Sequence, residues 1–386
     1  MALIIPNPEF DSPLTQLVFE LERLRYFSLK GSTPKWLFFD LKAVMQMLES
    51  LTSARIEGNR TTIMGVVEAV IQENQVTPDE QIREIKNIYD AIDFIENKIK
   101  KCLTKGEELR IDEEFIKELH KICVEGLERE GSKSPGQFRT DDVVITKSNH
   151  KPPAPGLVNS LMKDLVEFIN SNNKPQQDLL KTAVAHHKMA WIHPFDNGNG
   201  RVTRLITYAM LSKQGFIDDR GFHILNPTAI FFSDREKYYD MLALADKEDT
   251  ASMVEWCEYV LFGIKDEINK IDKLLDGDFA KRQIIRPSIE LAKEKNWINN
   301  DEYEILITAM NKDTIQAADI LPIFGVGASA RTQASRVISR MKEQKYLMAH
   351  PDSPRKYVLR FSNNYLLRGV IQQLEKNDLL PAKVDE

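Results

Sequence analysis

His193-Pro-Phe-Asp-Asn-Gly-Asn-Gly-Arg-Val-Thr-Arg204 lies between two apolar runs with helical spacing, and its chemistry governs how the rest of the chain is read. Gly198 and Gly200 let backbone N–H groups approach a ligand with no Cβ in the way. They fall where the next helix begins, and a helix N-terminus offers unpaired donors and partial positive charge, a ready anion site. Arg201 and Arg204 are three residues apart and share a helix face. Two guanidinium forks beside a helix N-terminus suit a polyphosphate better than a single carboxylate. His193 enters from the end of the preceding helix, where an imidazole can take a proton from an attacking hydroxyl. A lone Gly-x-Gly or a lone His beside Pro is usually structural; their combination with two spaced arginines in one short loop points to chemistry.

Working outward, the chain is helical in pattern. Leu14–Phe27 and Leu37–Leu51 repeat apolar residues at three and four spacing, and the pattern resumes at Val66, Val67 and Val70. Asn87–Leu103 and Glu113–Leu127 predict two more helices. The rhythm then breaks over Gly131–Arg139, and Val143-Val-Ile-Thr146 is a short β-like run before Pro152-Pro-Ala-Pro, which predicts a small hairpin projecting from the body. Helices return at Leu157–Ile169, Asp178–Ile192 and 200–213, stopped by Gly215, and again at Asp234–Ala245 and Ser252–Leu274. After Asp276-Gly-Asp, helical stretches end in an alternating hairpin near Tyr346–Arg360, the order of a winged helix.

The 386 residues suggest two or three domains, with 42% hydrophobic and 28% charged residues as in ordinary globular chains. A net charge of −6 gives no bulk attraction to nucleic acid or anionic membranes. Cys102, Cys123 and Cys257 are odd in number and show no metal spacing, as expected of thiols in a reducing compartment. Neither a signal peptide nor a membrane-spanning run is visible, so a cytoplasmic protein is expected.

From Ile192 to Arg204 the sequence resembles the signature of the Fic family, His-Pro-Phe-x-(Asp/Glu)-Gly-Asn-Gly-Arg-x-x-Arg, with one departure. The likeness extends through Gly136-Gln-Phe-Arg139, Val143-Val-Ile, Pro152-Pro, and Ser233…Arg235…Tyr238-Tyr239…Leu242, or roughly residues 110 to 265. The resemblance implies an all-α fold, a Fic helical core with a small β-hairpin flap, joined here to a C-terminal winged-helix (α+β) domain. The expected division is 1–105 as an N-terminal helical region, 106–275 as the core and 276–386 as the C-terminal domain.

The implied activity is protein adenylyl transfer: AMP moves from ATP, accompanied by Mg²⁺, to a Ser, Thr or Tyr hydroxyl of a target protein or of the enzyme itself. His193 would be the base and Phe195 an anchor of the loop. Gly198, Asn199 and Gly200 would form the anion hole, Arg201 would grip the β-phosphate and Arg204 the γ-phosphate. Tyr238 and Tyr239 would lie on the adenine side. Val143, Val144, Ile145 and Thr146 would pair with the target backbone as an added strand.

The departure is Asn197, which stands where the family carries an acidic ligand for Mg²⁺; an amide oxygen can ligate but lacks the charge, so weakened metal binding is expected. His186 and His187, adjacent on a helix and pointing about 100° apart, read as core histidines rather than metal ligands. His150 belongs either to the flap or to the surface.

Alone, Ser53-Ala-Arg-Ile-Glu57-Gly58 is an ordinary helix end. Beside a Fic-like core it resembles the family's inhibitory motif, (Ser/Thr)-x-x-x-Glu-(Gly/Asn), in which Glu57 would pair with Arg204 and keep the γ-phosphate away. Glu57 can alternatively orient a water for the reverse reaction, removal of AMP. In the C-terminal module, Arg331–Arg360 holds eight basic residues, including Arg336, Arg340, Arg355 and Lys356, against two acidic ones. This suits DNA backbone contact, or else a protein-interaction or dimerisation face. The rival reading is a DNA-binding regulator with a nucleotide-sensing or degenerate core.

Overall fold

The apolar stripes of the N-terminal third form helices in the computed structural model, which describes residues 3–26, 32–72, 79–145, 148–172, 174–216, 229–351 and 353–380. Pro13–Tyr26 buries Leu14, Val18 and Leu21. Lys35–Ile56 runs one turn beyond its apolar pattern and stops at Gly58, whose φ of +107° is a conformation other residues rarely adopt. Asp79 caps Glu80–Lys105 by accepting from the N–H of Ile82, and Ile85, Ile88, Ile92, Ile95 and Ile99 form its buried stripe. Left-handed Gly106 closes that helix.

The chain divides into two compact units. One comprises residues 1–30, 46–61 and 78–269; the other comprises 31–45, 62–77 and 270–386. At the centre of the first, Asp178–Ile192 and Asn199–Lys213 pack against each other, with Glu80–Lys105, Glu113–Val124 and Pro155–Asn170 around them. Both central helices are buried on nearly every side, polar side chains such as Thr182, His186, Arg201 and Arg204 included. Trp256 is fully buried behind them and donates its indole N–H to the Ala183 carbonyl at 2.7 Å.

In the second unit Arg286–Glu294, Asn300–Lys312 and Ala328–Glu343 precede an antiparallel pair, β1 (Leu347–His350) and β2 (Ser353–Leu359). Leu347 faces Leu359 and Met348 faces Val358, with an irregularity at Ala349/His350; Ile315 adds a bridge to Tyr357. Leu366–Lys376 then packs on Arg286–Glu294, where a Cβ on Gly369 would meet Ser288 at 3.0 Å. Among the described residues the fold is therefore helical apart from one small hairpin, and that hairpin is the C-terminal one.

Val143–Ile145 forms no strand among the described residues, and Thr146 lies outside them. Val143 and Ile145 are half-buried and Val144 is 90% exposed, so this short segment covers little apolar surface, and an isolated two-stranded ribbon is marginal. No described helix is long and apolar enough to cross a membrane.

Asp40 organises the corner after β2. Its buried carboxylate accepts from the N–H of Phe361 at 2.6 Å and the hydroxyl of Ser362 at 3.1 Å, and pairs with Arg360. Asp40→Ala leaves these buried donors without an acceptor, so urea unfolding of the second unit should show a loss of about 2–3 kcal/mol.

Candidate active site

His193 ends the first central helix in a left-handed conformation, φ 51° and ψ 58°, its N–H still reaching the Met189 carbonyl at 3.2 Å. A non-glycine residue there is held against a steric cost, and the holder is Arg139. The Arg139 backbone N–H donates to Pro194 O at 2.8 Å and its Nε to His193 O at 2.8 Å. Its remaining nitrogens reach Asp141 O at 3.0 Å and Pro153 O at 2.6 Å. One buried guanidinium thus fixes the histidine and both ends of the segment 141–153.

The loop after His193 is braced from inside. Asn199 Oδ1 accepts from the Phe195 N–H at 2.9 Å while its Nδ2 donates to the Phe195 carbonyl at 2.8 Å. The Asn199 side chain therefore closes the loop, and any share it has in an anion hole comes through backbone shape. Phe195 is fully buried and stacked on His120, centroids 3.8 Å apart. Gly136 N–H donates to His120 Nδ1 at 2.9 Å, which leaves Nε2 to carry the proton to the Asn197 carbonyl at 3.1 Å. His120 was not singled out from sequence; only its place on the predicted helix Glu113–Leu127 was visible.

Gly198 has φ +75° and opens the second central helix, and a Cβ there would press on Val124 at 3.1 Å. At Gly200 a Cβ would meet Glu57 Oε1 at 2.0 Å. The carboxylate of Glu57 thus occupies the space that the glycine leaves open at the helix N-terminus. Arg204, buried, donates to Glu57 Oε1 at 2.8 Å, and to Ser53 Oγ and Ser53 O at 2.9 Å each. Burial opposes ionisation of Glu57, yet Arg204 and then Arg201 outweigh it and hold its carboxyl below the usual range. Burial likewise opposes the charge of Arg204, and Glu57 more than restores it.

Arg201 is 1% exposed and is also held by acids: Nη1 lies 3.1 Å from Glu84 Oε1, and Nη2 donates to the Glu130 carbonyl at 2.8 Å. Of the two tyrosines, Tyr238 turns inward and shares a hydrogen bond with His186 Nε2 at 2.9 Å, whereas Tyr239 stays 43% exposed beside the Ile56 carbonyl. His186 also meets Thr207 at 2.7 Å, and His187 meets Asp246 at 2.8 Å, so both are core histidines with hydrogen-bond partners. His150 is fastened too, 2.8 Å from the Trp191 carbonyl and 3.4 Å from Asp246. Val143–Ile145 make no contact that places them against His193.

The Fic/DOC family pattern matches residues 110–211. This chain carries a Fic domain. The protein adenylyltransferase Fic of Nematostella vectensis is 28% identical over 211 residues, 53% of this chain and 44% of that protein. The Aedes aegypti protein of the same name is 34% identical over 122 residues, 31% of this chain and 22% of that one. The matches thus span under half the length of these curated relatives. A Fic family protein from Desulfovibrio desulfuricans superposes with a TM-score of 0.55 at 22% identity, over 92% of this chain and 98% of that one. Residues 134–508 of Fic-1 from C. elegans give 0.52 at 20% identity, over 67% and 72% of the two chains. These structural likenesses bear on the fold.

The Fic loop does not build a cation cage of its own. Asp196 accepts from Ser132 Oγ and from the N–H of Lys133, and Asn197 Oδ1 accepts from the N–H of Gly198 at 2.7 Å. No cluster of three acidic, His or Cys side chains suited to a metal occurs among the described residues. The donors the loop offers are the Asp196 carboxylate and the Asn197 amide oxygen, both already engaged, which does not fit a protein-held Mg²⁺.

Burial pushes the pKa of both His120 and His193 down to about 4 from 6.5. The unfolded chain then takes up protons before the folded one, so their contribution is present above pH 6.5 and lost as pH falls toward 4. The melting temperature should drop across that window, and His120→Gln should make the drop shallower whatever its effect on stability at neutral pH.

Proposed function

We propose that the protein is an autoinhibited protein adenylyltransferase. The observation that carries this reading is the Glu57 carboxylate lodged over Gly200 and on Arg204 at the helix N-terminus, an anion already seated where a phosphate would bind. Nearby, His193 is held neutral at physiological pH and is near enough to Glu57 to feel its charge. The names of the matched relatives supply the AMP-transfer class; the site residues supply the means.

In this reading ATP enters as its Mg²⁺ complex, as substrate, and its terminal phosphates replace Glu57 on Arg204. A target Ser, Thr or Tyr hydroxyl attacks the α-phosphorus in line. The new O–P bond forms as the bond to pyrophosphate breaks, and the hydroxyl proton passes to His193. Arg201, Arg204 and the backbone N–H groups at Gly198–Gly200 stabilise the developing charge, so catalysis rests on positioning and electrostatics. Val143–Ile145, without a strand partner among the described residues, offer backbone groups to a target segment. Tyr239, the accessible member of its pair, is the adenine-side candidate.

With ATP labelled at the α-phosphate, Glu57→Gly should transfer at least roughly tenfold more label to protein than wild type, because the competing carboxylate is gone. Adding His193→Ala should cut that by about 10²–10⁴. Equal labelling by Glu57→Gly and wild type would remove the brake, and label independent of His193 would remove the enzyme.

A second reading concerns the C-terminal module, taken as a winged helix on duplex DNA. Arg331, Arg336, Lys342, Arg355 and Lys356 are exposed along Ala328–Glu343 and the hairpin, whereas Arg340 is paired with Glu302 at 2.9 Å. If this face binds DNA, affinity for a labelled duplex should fall steeply with salt, and Arg331→Glu/Arg336→Glu should abolish it. Salt-independent binding, or none, would assign the face to protein contact.

A further inference from the structure

The turn after Glu57 is clamped onto the start of Glu80–Lys105. Asn59 Nδ2 donates to the Gln81 carbonyl at 3.0 Å and to Glu84 Oε2 at 2.9 Å. Arg60 N–H reaches Gln81 Oε1 at 3.2 Å, and Arg55 Nε reaches the Thr61 carbonyl at 2.9 Å. The other oxygen of Glu84 faces Arg201 Nη1 at 3.1 Å, a pair buried on both sides, with side-chain exposures of 1% and 3%. Their geometry is imperfect: Arg201 Nε and Nη1 and Glu84 Oε1 are buried without an aligned hydrogen-bond partner. Arg201 Nη1 thus lies within ion-pair distance of a carboxylate that does not accept from it in line.

We propose that Asn59 and Glu84 form a second restraint, by which the segment Ser53–Asn59 holds Arg201 as well as Arg204. Glu57 takes Arg204 directly. Asn59 takes Arg201 at one remove, by fixing Glu84 against it. The same turn of Glu80–Lys105 also orders the far side of the site, since Glu80 accepts from the N–H groups of Arg129 and Glu130, and the Glu130 carbonyl receives Arg201. A polyphosphate reaching Arg201 competes with Glu84, loosens Asn59 and so weakens the hold of the turn that carries Glu57. The two arginines are therefore released together by a ligand with two adjacent phosphates, and one phosphate alone releases neither fully. Asn59 and Glu84 are positioning residues in this scheme.

The inference rests on the nucleotide reading of the site, so the test measures ligand binding rather than transfer. Affinities for a non-hydrolysable ATP analogue and for pyrophosphate are measured by calorimetry on the full chain as wild type, Asn59→Ala, Asn59→Asp, Glu57→Gly and Glu57→Gly/Asn59→Ala. Removing a hydrogen bond to a charged group should tighten binding about five- to tenfold in Asn59→Ala. Asn59→Asp, which keeps the size but cannot donate, should do at least as much and serves where the alanine variant folds poorly. The gain from Asn59→Ala should persist in the Glu57→Gly background. Unchanged affinity on changing Asn59, or a gain that vanishes once Glu57 is gone, would overturn the second restraint, since Asn59 would then serve only to place Glu57. Pyrophosphate binding in the expected order, with no binding of the ATP analogue, would sustain the restraint and overturn the nucleotide reading; binding of neither would overturn both.

Discussion

Everything around the Fic loop depends on giving a buried guanidinium an anion. Arg204 is 2% exposed and cannot discharge by losing its proton, so a negative charge against it stabilises the fold. Glu57 meets that need in the free protein. The Glu57 side chain keeps 29% of its surface exposed, so the carboxylate belongs to the architecture of the empty site without being sealed into it. On this view inhibition is one side of a counterion exchange: phosphate and carboxylate compete for the same donors, and the outcome depends on the difference between them.

The exchange needs a rigid frame, and the frame is made mostly of side chains bonded to backbone. Arg139 draws carbonyls from three places onto one guanidinium, and His120 links Gly136 to Asn197 through a tautomer that both partners enforce. Asn199 replaces the missing backbone pairing of the loop with its own amide. None of these groups needs to touch a ligand to matter, because a loop held in a left-handed turn at His193 relaxes once its ties are cut. Preorganised donors serve transition-state charge best when they do not have to move, and this loop is built for that.

Much of this was legible in the chain. Helical stripes such as Ile85–Ile99 have one period and one cause, burial of a face, so they survive being read locally. The loop was legible because its base, glycines and arginines are contiguous. Ser53 and Glu57 were legible through the family resemblance of their spacing, and both meet Arg204. What stayed hidden depends on distance along the chain: Glu84 and Glu130 against Arg201, Asp246 against His187 and His150, Arg139 against the carbonyls of Pro153 and His193. Each looks like a solvated charge in sequence, since nothing local marks its partner. Tyr238 and Tyr239 show the same limit, for adjacent residues of one type point to different places on a helix, and only the packing says which is buried. The β-like run at Val143 forms no strand among the described residues, so its composition describes a capacity for pairing and not a ladder.

Asn197 belongs to the same accounting of charge. Its amide keeps the turn, through its bond to the Gly198 N–H, and brings no charge of its own. In the proposed reading the cost falls on cation affinity, which then depends on the phosphates that a nucleotide brings with it. The nucleotide would then supply two things at once: the charge that displaces the carboxylate from Arg204, and the ligands for its own cation.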